Sequence, residues 1–192
     1  RPMPAGWADL FDPAWKGQVV IGDPANSSSA YAQIYGLYQL FGREGLEKLA
    51  RNVVVTGSSS NVYKSVAAGE FAAGITMEYS AQAYVAGGQS EIRLVYPAEG
   101  TFLSPEGMAV VKGAPHPQAA QRLLDIMASD AAQAAIFAAT WRRPANDRVD
   151  VTAIAGLPRL ADLKVIAVDQ DAAARDRDRV LAIWQEVTAA AR

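Results

Sequence analysis

The chain has 192 residues, 51% hydrophobic and 20% charged, with a formal net charge of −2. This is enough apolar material for one domain or two small ones, and the near-neutral balance excludes a polybasic surface for nucleic acid or anionic lipid. The lack of cysteine excludes disulfides, thiolate nucleophiles and cysteine-held metals. No apolar run approaches the ~20 residues of a membrane span. The chain opens on Arg1 with no visible signal peptide, and is read as a mature form or a fragment.

In chain order, Trp7 to Pro13 reads as one helical turn stopped by proline. Gln18 to Gly22 is a short apolar strand, and Asp23-Pro24-Ala25-Asn26-Ser27-Ser28-Ser29 is a polar helix start. Ala30, Ile34, Leu37 and Phe41 share one helical face, Gly42 closes that helix, and Arg43 to Arg51 forms a second, shorter one. Val53-Val54-Val55 predicts a strand, Gly57 to Asn61 a second serine-rich helix start, and Gly69 the end of the helix that follows. Ala73, Ile75 and Met77 alternate with smaller or polar residues as in a strand, and Glu78 to Ala86 reads as a helix ended by Gly87-Gly88. Ile92 to Tyr96 and Met108 to Val111 are predicted strands flanking an irregular stretch, residues 97 to 107, the expected hinge or boundary. The rest is mostly helical. One helix runs from Pro117 to Met127 with Ala120, Leu123, Leu124 and Met127 on one face. Another follows Ser129 and runs to about Ala139. Residues 146 to 171 are mixed. A last helix over 172–191 carries a stripe of Val180, Ile183, Trp184 and Val187.

Strand, serine-rich turn and helix occur twice, at Ser27–Ser28 and at Ser58, Ser59, Ser60 and Asn61. In a parallel sheet both turns lie at the carboxyl ends of strands, where open α/β sheets bind ligands and where helix N-termini favour anions. Each cluster by itself is also an ordinary helix cap. Glu78 stands at the same kind of position. It is either a helix-start carboxylate favoured by the dipole or an acceptor for a ligand's hydroxyl or amino groups. Tyr79 and Tyr84 are five residues apart and so on different helical faces, which suits packing rather than joint ligation of a hard cation. His116 is the only histidine, between two prolines, and no Gly-x-Ser-x-Gly elbow occurs, so a serine hydrolase lacks its base. Dinucleotide and P-loop motifs and His- or Cys-based metal spacing are missing. The residues point to a binding protein rather than an enzyme, with no cofactor expected.

Trp7-Ala8-Asp9-Leu10-Phe11-Asp12-Pro13 with Lys16-Gly17 and Asp23-Pro24-Ala25-Asn26-Ser27 resembles the middle of extracellular solute-binding proteins of bacterial ABC importers. The group includes binders of ferric ion, of phosphorylated sugars and of aminoethylphosphonate. Val66 to Phe71 with Gly74-Ile75-Thr76, Tyr96 to Thr101, and Ser129 to Gln133 match the same family in the same order. The resemblance implies a type II periplasmic-binding fold, two α/β lobes joined by hinge strands and closing on solute. Residues 4–98 would be the central ligand-binding lobe, a parallel-rich sheet flanked by helices. Residues 99–112 would be the hinge, and 113–192 the C-terminal helical part of the partner lobe, whose opening segment has no counterpart in this sequence. The implied partners are a small anionic solute and an importer permease, in the periplasm or anchored outside the membrane. Unpaired strand edges would favour a dimer. Ferric binders carry adjacent tyrosines where this chain has Met77-Glu78-Tyr79-Ser80, which turns the expectation toward a phosphorylated solute. The alternatives are a ferric-ion binder of the same family and the effector-sensing domain of a regulator.

Overall fold

A computed structural model describes residues 2–191. Its first sheet has three parallel strands in the order β2-β1-β3: β1 is Val19–Gly22, β2 Val53–Thr56 and β3 Ala73–Ile75. All four residues of β1 are buried, as expected of a central parallel strand covered on both faces. Parallel neighbours need crossovers, and helices supply them: α1 (Ser28–Ala50) between β1 and β2, and α2 (Ser59–Ala67) between β2 and β3. The α1 span is broken at Gly42, whose φ of 61° and ψ of −162° are not helical, so it consists of the two consecutive helices that the glycine predicts. Next, α3 (Glu78–Ala86) follows β3.

Contacts divide the chain into two compact units, Arg1–Ser104 with Leu163–Arg192, and Pro105–Asp162. This differs from the expected division at residues 98 and 113, because the chain returns to the first unit at Leu163. In the first unit β4 (Thr101–Phe102) pairs in parallel with β5 (Val165–Ile166), and α7 (Gln170–Arg175) and α8 (Arg177–Ala190) follow. Val180, Trp184 and Val187 of α8 are buried in one cluster with Ile34, Leu37, Leu46 and Leu49 of α1 and with Val19 and Ile21 of β1. Periodicity predicts the apolar stripe of α8 but not the surface that covers it. The last helix, expected as one piece over 172–191, is two, with Asp176 (φ −84°, ψ −2°) as the end of one and the start of the next.

The second unit contains α4 (Pro117–Met127), α5 (Asp130–Thr140) and α6 (Val151–Ala155). Its buried apolar residues are Phe137, Val149, Val151 and Leu157. Asp130 pairs with Arg148, whose guanidinium holds the Asp130 carboxyl below the usual carboxylate range.

Two predicted strands are not strands in the structure. Ile92 to Tyr96 and Met108 to Val111 have no ladder partner among the described residues. An extended segment becomes a strand only by pairing, and the pairing partner is not a local property of the sequence. No single described helix is long and apolar enough to cross a membrane.

Candidate functional site

The register of the three-stranded sheet sets the site. Gly22 pairs with Thr56, and Ile21 with Ile75, so all three strands end at one edge. Each then turns into the N-terminus of a helix: α1 through Ser27, α2 through Ser58 and α3 through Met77. The first two turns touch. Asp23 N–H donates to the Thr56 carbonyl at 2.8 Å. A Cβ on Gly22 would lie 3.2 Å from Ala30 Cβ and 3.3 Å from Ser59 Cα, so the absence of a side chain there lets the two helix starts approach.

The serines cap their helices. Ser27 Oγ accepts from Ala30 N–H (3.2 Å) and shares a hydrogen bond with Ser29 Oγ (3.0 Å). Ser58 Oγ accepts from Ser60 N–H (3.3 Å) and shares one with Ser60 Oγ (2.9 Å). Asn61 turns inward within its own segment, Nδ2 donating to Thr56 Oγ1 (3.3 Å). Ser28 and Ser59 take the first helical positions, and their N–H groups have no protein acceptor among the described residues. The arrangement offers backbone donors, hydroxyls and two neighbouring helix N-termini, which is chemistry for an anion.

At the third helix start, Glu78 accepts a hydrogen bond from the Tyr96 hydroxyl at 2.9 Å. Both residues line a cavity of about 470 Å³ running along β3, whose wall also includes Trp7, Trp15, Tyr63 and Tyr84. The Tyr63 and Tyr84 rings pack at 5.9 Å, the packing role expected for Tyr84. The six expected residues of the serine turns, and Tyr79, do not line this cavity. Of the expected site residues only Glu78 does, so the serine turns and the cavity are two neighbouring features of the sheet edge rather than one pocket.

Two residues escaped the sequence reading. From sequence Tyr96 reads only as the end of a strand, and its pairing with Glu78 spans 18 positions. Its place just before Pro97, at the end of an apolar run, was the available signal. Arg177, at the start of α8, donates to the carbonyl of Ala25 (3.5 Å) in the turn before Ser27, and its guanidinium stands 5.3 Å from the centre of the Tyr31 ring. This brings a cation to the β1–α1 turn from 152 residues away, and no local pattern announces it. Burial, aided by neighbouring Tyr35 and opposed by Arg177, pushes the Tyr31 phenol up. Its hydroxyl donates to the Ala173 carbonyl, so Tyr31 acts as a neutral donor and not as a phenolate ligand. Among the described residues no three His, Cys, Asp or Glu side chains gather as a metal site.

Comparison with known proteins places this geometry. Residues 1–171 match the family model described as bacterial extracellular solute-binding protein. An uncharacterized protein of Haemophilus influenzae is 32% identical over 119 residues, which are 59% of this chain and 34% of that protein. Among solved structures, the periplasmic binding protein AfuA from Actinobacillus pleuropneumoniae, with exogenous fructose-6-phosphate bound, has a TM-score of 0.83 at 26% identity. The match covers 98% of this chain and 61% of AfuA. A Bordetella ferric binding protein has a TM-score of 0.74 at 22% identity, over 97% of this chain and 64% of that one. The chain therefore spans about three-fifths of the length of these structures and about a third of the Haemophilus protein.

Proposed function

Because the chain belongs to the bacterial extracellular solute-binding protein family, whose members serve ABC importers and are not enzymes, we propose that it captures a small phosphorylated anion outside the cytoplasmic membrane and presents it to an importer permease. The observation that carries the reading is the convergence of the α1 and α2 N-termini at one sheet edge, with Gly22 bringing Ser59 against the end of β1. A phosphoryl group would take the N–H groups of Ser28 and Ser59 and the hydroxyls of Ser58, Ser59 and Ser60, while Ser27 and Asn61 hold the two turns in shape. Arg177 adds positive potential beside the first turn. Glu78, steadied by Tyr96, would accept from the hydroxyl or amino end of the solute, and Tyr79 flanks it on α3. Sugar phosphate is favoured over ferric ion by the chain's residues: a Met77-Glu78-Tyr79-Ser80 sequence with one tyrosine, and hydroxyl and amide donors in place of anionic ligands. The AfuA likeness supports the same choice.

Calorimetric titration tests the reading. A hexose phosphate is expected to bind, with its unphosphorylated sugar at least 100-fold weaker. Ser59→Ala should weaken the hexose phosphate by about 10-fold or more, since hydrogen bonds to a charged group contribute about 1.5–3 kcal/mol, and should barely affect the parent sugar. Glu78→Gln should alter discrimination among phosphorylated sugars more than it alters binding of inorganic phosphate. Tight binding of ferric ion with a tyrosinate charge-transfer band, and no heat from any phosphorylated compound, would overturn the proposal in favour of iron.

A further inference from the structure

Buried amide side chains differ in what the fold gives them. Asn52 donates to the carbonyls of Leu10 and Asp12, both at 2.8 Å. Gln33, only 8% exposed, donates to the Met77 sulfur at 3.9 Å. A thioether is a weak acceptor and donates nothing, so the Gln33 nitrogen is turned to Met77 and Oε1 faces away from it. Oε1 has no protein donor among the described residues. No side-chain oxygen or nitrogen sealed from solvent lacks a partner among those residues, so the small exposed part of Gln33 includes Oε1. It is a deeply set acceptor that opens outward. Burying an amide on so weak a partner lowers stability, and an apolar side chain of equal size would fill the place at no such cost.

The position of Gln33 explains what the amide is for. Side chains on a helix lean toward its N-terminus, and residues three and four apart share a face. Ala30 and Ser29 therefore lie on the Gln33 face of α1, one turn nearer the sheet edge. Ser29 Oγ shares its hydrogen bond with Ser27 Oγ, and Ala30 sits over Gly22 at the end of β1, where Ser59 also approaches. On its other side Gln33 meets Met77, the residue that opens α3 immediately before Glu78. The serine turns and Glu78 are separate features of the edge, and the Gln33 carboxamide is a polar group set between them. We propose that Gln33 is a specificity-determining contact of the solute site, its Oε1 accepting from a solute hydroxyl between the phosphoryl group at the serine turns and the polar end at Glu78. The inference rests on the phosphorylated-solute reading above and adds to it that the solute is a polyol: a lone acceptor repels phosphoryl oxygens and takes a hydroxyl.

Gln33→Met in the intact protein tests this, because it keeps the volume and removes the amide. The probe is whichever of fructose-6-phosphate and glucose-6-phosphate binds the parent more tightly by calorimetry. The variant should bind it about 10-fold or more weakly, bind inorganic phosphate within about 3-fold of the parent, and unfold in urea at or above the parent midpoint. Among single-deoxy analogues of that hexose phosphate, the one lacking the contacted hydroxyl should bind parent and variant alike, while the others keep the difference. Unchanged binding of the hexose phosphate overturns the inference alone. So does equal weakening of inorganic phosphate, which would make Gln33 a support of the serine turn, or a difference kept by every deoxy analogue. A lowered urea midpoint or failure of the variant to fold also overturns it, since the amide would then be structural. A parent protein that binds neither hexose phosphate overturns the solute reading and this inference together.

Discussion

Helices α8 and α4 are both amphipathic, and they meet different fates. In the first unit α8 buries Val180, Trp184 and Val187 against α1, and ties its rim with a salt bridge from Arg43 to Glu186 and a hydrogen bond from Arg179 to Tyr38. In the second unit α4 buries no residue fully. Ala120, Leu124 and Met127 are half-buried, but Leu123 and Ile126, at 59% and 62% exposure, face outward, contrary to the expectation that Leu123 shares the buried face. Met108 and Val111, in a segment expected as a strand, are exposed as well. An apolar stripe is therefore only half of a packing interaction. The first unit contains both halves, and among the described residues the second does not. The same contrast recurs inside the sheet, where β1 is paired on both sides and β3 on one.

The comparison can be broken most forcefully at Trp184. Loss of a fully packed aromatic side chain costs about 3–5 kcal/mol, so Trp184→Ala should abolish or nearly abolish the cooperative unfolding transition of the first unit, measured by circular dichroism in urea. A cost below 1 kcal/mol would mean that α8 does not close this core.

A smaller effect tests the polar latch of the same unit. Glu99 accepts from the N–H groups of Trp7 (3.0 Å) and Ala8 (2.9 Å), while Trp7 Nε1 donates to the Gly100 carbonyl (2.8 Å) and the Trp7 ring stacks on Phe102 at 5.4 Å. Burial raises the Glu99 carboxyl, but these backbone donors outweigh it and hold the group below its ordinary value. A carboxyl depressed in the folded state contributes stability that is fully present above its unfolded pKa, near 4.3, and is lost as pH falls through the folded value. Glu99→Gln should thus cost about 1–3 kcal/mol at pH 7, and the gap from the parent protein should narrow below about pH 4. Chemical denaturation at a series of pH values gives both numbers. A gap that stays constant into acid would show that the charge on Glu99 is irrelevant.

The smallest effect is expected in the second unit. Replacing both Leu123 and Ile126 by Gln should change the stability of the 192-residue chain by no more than about 0.5 kcal/mol, as for surface positions generally, and should reduce association seen by light scattering. A loss above 2 kcal/mol in the same chain would show that this face is packed, and the contrast with α8 would fail.

Much of the architecture was readable from the chain itself. Gly42, Gly69 and the serine clusters punctuate helices where the structure breaks or starts them, because glycine's freedom at positive φ and the reach of a serine hydroxyl to the next turn are local properties. The parallel arrangement, and with it the meeting of Ser27–Ser28 and Ser58–Ser60 at one edge, followed from strand–helix alternation, since a parallel pair demands a crossover of that length. The family resemblance rested largely on other segments, among them Trp7 to Pro13, Asp23 to Ser27, Val66 to Phe71 and Tyr96 to Thr101, and the fold agrees with it. Local sequence could not supply the partners. The return of α8 to the first unit, the reach of Arg177 to the β1–α1 turn and the bond from Tyr96 to Glu78 join residues 18 to 152 positions apart. Ile92 to Tyr96 and Met108 to Val111 have the composition of strands but join no ladder among the described residues. Strand propensity is carried by each residue, but the ladder that makes a strand belongs to two segments at once, and only the tertiary structure decides which two meet.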